Sequence, residues 1–350
     1  MKSDRRLAIK GLAAATVIGA APQSVFAQPV TAPTPTFPAR LKRGDTAMIV
    51  APAGAISDPF SLTLSTEALQ AMGLKVKVGK YVLGRHGYLA GTDKERAEDV
   101  NAAFADPDVK AVFCLRGGWG CARMLPFVDF SVIAQNPKAI IGYSDVTTLL
   151  NAIYAKTGLV TFHGPNGDSP WREETWRAFK SLLFDGKKPR LADKPYADGT
   201  LAKRALRSRV VRPGMAEGRI AGGTLTLMTN LIGSPYMPDL TGHILCLEEV
   251  DEYVYRCDRM LTQLANAGIL DDVAGVVLGS FTGCTVQPTG RISGFTLMEV
   301  FQHHFASRDI PCFYGLQFGH VETKLTLPIG ARAKLDTADF SLTLLEPAVS

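Results

Sequence analysis

The sequence predicts an α/β protein: a doubly wound, parallel-sheet N-terminal domain followed by a mixed α/β, β-rich C-terminal domain. Three observations predict it. Between residues 46 and 156, short apolar runs alternate four times with helical segments, the pattern of a parallel sheet covered by helices on both faces. From residue 216 onward apolar runs and helices continue, but strand-like stretches with frequent turn residues dominate. The chain has 350 residues, 46% hydrophobic and 20% charged, a globular composition with enough length for two ordinary cores.

The elements follow in order. "TAMIVAPAG" reads as a buried strand ending in a Pro/Gly turn, "LSTEALQAMG" as a helix closed by Gly73, and "KVKVG" as a second strand. Thr92 and Glu95 have the spacing of a capping box and open the helix "DKERAEDVNAAFAD". "VKAVFCL" is a third strand and runs into "RGGWG"; "ARMLPFV" is a short helix; "KAIIG" is a fourth strand, followed by a helix to about Lys156. This half is expected to be flavodoxin-like and to span residues 41–165. Residues 166–215 read as a linker region, with a helix at "TWRAFKSLLF" and a polar, loop-like "DGKKPRLADKPYADG". Residues 216–345 form the second domain, with strands "HILCLEEV" and "VAGVVLGSF", helices "DRMLTQLANAG" and "TLMEVFQHHFAS", and a strand-and-turn stretch from 324 to 346.

The first residues are not expected to join the fold. Residues 1–27 have a basic start, an apolar run from Gly11 to Ala21 and a small residue at Ala27, the layout of a secretory signal. Arg5 and Arg6 followed by Leu7, Ala8, Ile9 and Lys10 resemble a twin-arginine signal, which places the mature protein in the periplasm. The apolar run is too short to span a bilayer, so no stable membrane insertion is expected. Residues 28–40 are a Pro/Thr-rich spacer. The formal charge is +5, of which Lys2, Arg5, Arg6 and Lys10 against Asp4 contribute +3, leaving +2; no basic stripe points to nucleic acid. None of the six cysteines is spaced as C-x-x-C, and no Cys/His cluster reads as zinc ligands, so mostly free, buried cysteines and no metal or other cofactor are expected.

In a parallel sheet, ligands sit beyond the carboxyl ends of the strands. "RGGWG" and "GYSD" both lie there. Ser144 stands at a strand-to-helix turn, where a serine either acts as a nucleophile or caps the helix. The N–H of Asp145 is available to a developing oxyanion, and Gly117 or Gly118 can supply a second donor. The fit to G-x-S-x-G is incomplete, because Val146 occupies the second glycine position. Arg116 suits bidentate pairing with a substrate carboxylate, and Trp119 in the same turn is a second substrate-binding candidate. A serine nucleophile needs a base. The histidines are His86, His163, His243, His303, His304 and His320. His163 and His320 each follow a strand-like run, and spacing does not choose between them. Orienting carboxylates are available at Glu248, Glu249, Asp251 and Glu252.

The segments "APAG", "GYLAGTDKERAEDVNAAFADPDVKAVFCLRGGWG", "IIGYSD", "VTFHGP", "LCLEEVDEYVYRCDRMLTQL", "GVVLGSF" and "FGHVETKLTLPIGARAKLD" occur in this order and together resemble the LD-carboxypeptidases of serine peptidase family S66. The resemblance covers roughly residues 41 to 340. It implies a Ser-Glu-His triad of Ser144, Glu248 and His320, with Gly118 and Asp145 as the oxyanion donors. It implies an acyl-enzyme reaction without a metal, on a murein stem peptide or muropeptide cut before its terminal D-Ala, and a homodimer. Two rival readings accompany it: an amide hydrolase cleaving peptide-nucleotide antibiotics, in which Trp171 would stack a base rather than be an ordinary loop tryptophan, and a non-catalytic periplasmic muropeptide-binding protein.

Overall fold

Alternation along single strands shows how the first sheet is clothed. In the strand β1 (Thr46–Val50), Ala47 and Ile49 face one hydrophobic cluster while Met48 and Val50 face another. The computed structural model describes residues 34–192, 206–286 and 294–350. The expected signal segment lies outside the described residues. After β1 come α1 (Phe60–Ala71), β2 (Lys75–Val78), α2 (Asp93–Ala105), β3 (Val109–Cys114), α3 (Cys121–Met124), α4 (Phe130–Gln135), β4 (Ala139–Gly142), α5 (Val146–Thr157), β5 (Thr161–His163) and α6 (Glu173–Leu183). Strands β2, β1, β3, β4 and β5 lie side by side in that order, all parallel. That is the flavodoxin-like order, with its topological switch between β1 and β3. Leu69 of α1 and Phe179 of α6 cover one face; Val100 of α2 and Leu149 of α5 cover the other.

The second half contributes β6 (Arg190–Ala192), β7 (Arg209–Arg212), β8 (Met215–Thr224), α7 (Leu225–Leu231), β9 (Ile244–Val250), α8 (Val254–Asn266), α9 (Ile269–Asp272), β10 (Gly275–Thr282), α10 (Leu297–Phe305), β11 (Cys312–Tyr314), β12 (Leu327–Ile329), β13 (Arg332–Asp336) and β14 (Ser341–Leu344). A mixed eight-stranded sheet runs β6-β14-β13-β8-β9-β10-β11-β7. Ile220, Ile244, Cys246 and Val277 on its inner face join the same cluster as Ile49 and Phe113 of the first sheet. Leu245, Leu247, Val276 and Leu278 point the other way, under α7, α8 and α10. Strand β12 crosses to the first sheet and pairs antiparallel with β5 through Leu327 and His163. The two sheets are thus tied by a shared core and by an exchanged strand.

Most elements lie where the apolar pattern places them. The capping box forms: Thr92 Oγ1 accepts from the Glu95 N–H at 3.3 Å, and Glu95 Oε2 accepts from the Thr92 N–H at 2.7 Å. Differences concern short segments. α1 starts at Phe60, four residues before the run "LSTEALQAMG". The stretch "DGKKPRLADKPYADG", read as a polar loop, contains β6, a three-residue edge strand paired with β14. Three residues are too few to show a period. Cys114, Cys121, Cys246, Cys257 and Cys312 are free and buried, and Cys284 is free and partly buried. Among the described residues no helix is long and apolar enough to cross a membrane.

Candidate active site

Three chain segments meet at the carboxyl ends of β3 and β4. Ser144 follows β4 and is one of four non-glycine residues with positive φ among the described residues, at 63°. An L-residue adopts that conformation only where its surroundings enforce it. The residue flanking α5 is Asp145, with no side-chain cap, and Ser144 Oγ turns instead to His320, 3.0 Å from Nε2. Ser144 Oγ makes no cap bond to α5 among the described residues. His320 Nδ1 lies 2.8 Å from Glu248 Oε2, which also accepts from the His320 backbone N–H at 3.1 Å. In the tautomer whose Nδ1–H donates to Glu248, Nε2 accepts from the Ser144 hydroxyl.

Glu248 is fully buried. Burial pushes its carboxyl upward, but the hydrogen bond and charge of His320, His163 and the Thr224 hydroxyl outweigh this and hold it below the usual glutamate range. Thr224 Oγ1 donates to Glu248 Oε1 at 2.6 Å, and the Thr224 N–H donates to Thr147 Oγ1 of α5 at 3.1 Å. The helix that starts beside Ser144 thereby reaches the support of the carboxylate. Glu249 lies on the opposite face of β9, where Thr226 donates to it through N–H at 2.8 Å and Oγ1 at 2.7 Å. Strand alternation separates the two neighbouring glutamates, and only Glu248 faces His320.

No other histidine stands within hydrogen-bond reach of Ser144 among the described residues. His163, at the end of β5, is 1% exposed, and burial pushes its imidazole down to about 4. Its Nε2 is 4.0 Å from Glu248 Oε1, behind the carboxylate, and among the described residues neither ring nitrogen has a hydrogen bond. His243 pairs with the Tyr154 hydroxyl at 2.9 Å, and His304 with Asp258 at 2.7 Å. His86 and His303 are exposed.

Glycines allow the approach. A Cβ on Gly117 would lie 2.7 Å from Ser144 Cβ, so the turn "RGGWG" presses its backbone against the serine. A Cβ on Gly319 would lie 2.2 Å from Glu248 Oε2. Gly118 has φ 122° and sits against Gly54. The N–H groups of Gly118 and Asp145 make no turn, loop or cap hydrogen bond among the described residues, which leaves both available to an oxyanion. The carboxylate of Asp145 accepts from the Cys121 N–H at 2.8 Å and so holds the turn and α3 together.

Beside the turn opens a cavity of about 330 Å³, lined among others by Gly54, Arg85, Tyr88, Arg116, Gly118 and Trp119. Trp119 is 64% exposed at its rim. Arg116 Nη1 donates to the Ala55 carbonyl at 3.0 Å, which aims the guanidinium along the cavity wall. Trp171 is not presented for stacking: its ring packs edge-on to Phe179 at 5.1 Å and to Phe113 at 6.3 Å. Sequence reasoning missed Gly319, Thr224 and Lys324, whose places depend on contacts between segments distant in sequence. Among the described residues no group of three or more His, Cys, Asp or Glu is placed to hold a metal ion.

Residues 47–164 match the LD-carboxypeptidase N-terminal domain of peptidase family S66, and residues 217–335 match its C-terminal domain. The chain is 37% identical to a probable murein peptide carboxypeptidase of Bacillus subtilis over 89% of this chain and 95% of the relative. It is 34% identical to a murein tetrapeptide carboxypeptidase of Pseudomonas aeruginosa over 82% of this chain and 92% of the relative. The solved structure of MccF in complex with glutamyl sulfamoyl guanosine superposes with a TM-score of 0.80 at 28% identity, over 90% of this chain and all of the other. The chain therefore belongs to the LD-carboxypeptidases of peptidase family S66, a family of peptidase hydrolases.

Proposed function

We propose that the protein is a serine LD-carboxypeptidase that releases the terminal D-Ala from murein tetrapeptide stems. The observation that carries this reading is the continuous path from Ser144 Oγ through His320 to Glu248, at 3.0 and 2.8 Å. His320 takes the Ser144 proton as the oxygen attacks the carbonyl before the terminal residue. Glu248 orients the imidazole and stabilises its charged form. The oxyanion rests on the N–H groups of Gly118 and Asp145. His320 then protonates the leaving amine, and water, activated by the same histidine, frees the acyl-enzyme. Arg116 holds a substrate carboxylate, and Trp119 packs on the peptide or sugar at the cavity rim.

Incubation with purified disaccharide-tetrapeptide tests the reading: mass spectrometry should show loss of one alanine, and an unchanged substrate would overturn it. The likeness to MccF supports a second reading, an amide hydrolase acting on a peptide-nucleotide conjugate. Cleavage of a glutamyl sulfamoyl nucleoside in preference to the tetrapeptide would select it. The protein is exported to the periplasm by a twin-arginine leader, is cleaved near Ala27 and works as a homodimer. The leader layout and the family resemblance support these points, and amino-terminal sequencing and light scattering of the periplasmic protein test them.

A further inference from the structure

Lys324 is only 4% exposed, four residues beyond His320. The backbone there is anchored: the Lys324 N–H donates to Thr175 Oγ1 at 3.1 Å and the Leu325 N–H to the Gln317 carbonyl at 2.7 Å. The ammonium stands 3.9 Å from the centroid of the Tyr143 ring. The same ring meets the His320 imidazole edge-on at 4.9 Å. Tyr143 immediately precedes Ser144, so one aromatic ring contacts both this cation and the candidate general base. Glu248, Asp168, Tyr143 and His163 surround it, Glu174 and Arg177 of α6 line a cavity with it, and Arg116 shares the field of Asp168. Among the described residues no carboxylate lies within 4.0 Å of Nζ, and Nζ makes no hydrogen bond. Glu248 is already engaged by His320 and Thr224.

A buried ammonium without an ion pair is costly, and it is offset when an anionic ligand completes it. The reaction proposed above brings such a ligand. The nitrogen that leaves receives its proton from His320, and the carboxylate of the leaving residue is one carbon away from that nitrogen. Arg116 lines the cavity beside the glycine turn and shares the field of Asp168 with Lys324.

We propose that Lys324 forms a carboxylate subsite for the leaving residue, and so makes the enzyme specific for a free C-terminal carboxylate. The proposal rests on the LD-carboxypeptidase reading. Burial lowers the Lys324 ammonium to about 8 against the attraction of Glu248 and Asp168, so the subsite loses its charge in mildly alkaline solution.

The test compares a synthetic tetrapeptide with its C-terminal amide, using the mature protein and its Lys324→Met and Lys324→Arg variants. Lys324→Met should lower kcat/KM for the free acid about 10- to 100-fold, mainly through KM, and leave the amide within about twofold. Lys324→Arg should keep part of the preference. For the wild type, kcat/KM for the acid should fall above about pH 8, and the amide should lack that limb. Equal losses on both substrates, no loss on either, or the same alkaline limb for both would overturn the proposal. If Lys324→Met does not fold, the arginine variant and the substrate-dependent limb decide. Calorimetric binding to the Ser144→Ala protein separates the two readings. Lys324-dependent preference for the acid without any D-Ala release by the wild type would sink the peptidase reading alone. D-Ala release with no such preference would sink the subsite alone.

Discussion

Gly319 and Glu248 are in backbone-to-carboxylate contact, and a Cβ on Gly319 would stand 2.2 Å from Oε2. The same oxygen accepts from both the backbone and the ring of His320. The glycine also has φ 92°, in the left-handed region. The contact lets the histidine lie flat enough on its carboxylate to keep Nε2 toward Ser144.

Gly319→Ala should therefore damage turnover more than folding. The strained φ should cost on the order of 1–3 kcal/mol of stability. Glu248 cannot retreat easily, because Thr224 holds its other oxygen at 2.6 Å. A displacement of about 1 Å in such a relay lowers kcat by about 100-fold. Steady-state kinetics on a variant shown to be folded by circular dichroism checks this; wild-type kcat would show that the relay tolerates the shift.

His163 makes a prediction about acid stability. Burial lowers its folded-state pKa to about 4 from the ordinary 6.5. Between these values the unfolded chain binds a proton that the folded chain does not. Stability is then fully present above about pH 6.5 and falls as pH drops toward 4, by at most about 1.4 kcal/mol per pH unit from this group. His163→Phe keeps a ring beside Tyr143 and Phe318 and should flatten that part of the curve. Urea midpoints at pH 4.5, 5.5 and 7 measure the slope; an unchanged slope would mean the imidazole is already protonated in the fold. Glu248 acts in the same direction but at lower pH, since its folded pKa is depressed below the glutamate value.

Arg116→Ala should weaken substrate binding by about 1.5–3 kcal/mol, the range of a charge-assisted hydrogen bond, with little change in kcat. Amidating each carboxylate of the tetrapeptide in turn identifies its partner: the variant should lose nothing further on the peptide already lacking that group. Equal losses on every peptide would make Arg116 a structural clamp on the Ala55 carbonyl, which Nη1 already touches at 3.0 Å.

What could be read from the chain was what local periodicity encodes. Met48, Val50, Val112 and Ile140 lie in apolar runs of four or more residues, and their strands form as the pattern requires. Thr92 and Glu95 signal a helix start through two reciprocal bonds three residues apart. Strands β6, β7, β11 and β12 are three or four residues long, and their partners are distant in sequence; β12 pairs with β5 across 164 residues at Leu327 and His163. No local signal encodes such a pairing. The choice of His320 over His163 has the same origin. Both end short apolar runs, and only the meeting of β5, β9 and the segment after β11 puts one before Ser144 and the other behind Glu248. Lys324 opens the strand-and-turn stretch from 324 to 346 with no local signal of burial, and its burial follows from α6 and Tyr143, neither near it in sequence.

Ser144 decides whether this arrangement performs hydrolysis. With its hydroxyl on His320 and no cap bond to α5, Ser144→Ala should leave the melting temperature close to wild type, whereas loss of a helix cap costs on the order of 1 kcal/mol. The backbone strain is unchanged by the substitution, because φ 63° suits alanine no better than serine. Turnover should fall by several orders of magnitude, since triad members act as a unit. His320→Ala should cost about as much, and the double variant little more than either. Glu248→Ala should cost less in kcat, because the orienting carboxylate is the least expensive member to lose in the best-studied triad. It should cost more in stability, since it strands the Thr224 hydroxyl and the His320 N–H groups in a buried site. The decisive quantity is D-Ala release by folded Ser144→Ala protein. Release within tenfold of wild type would remove Ser144 from the chemistry and leave the short contact to His320 as a structural hydrogen bond.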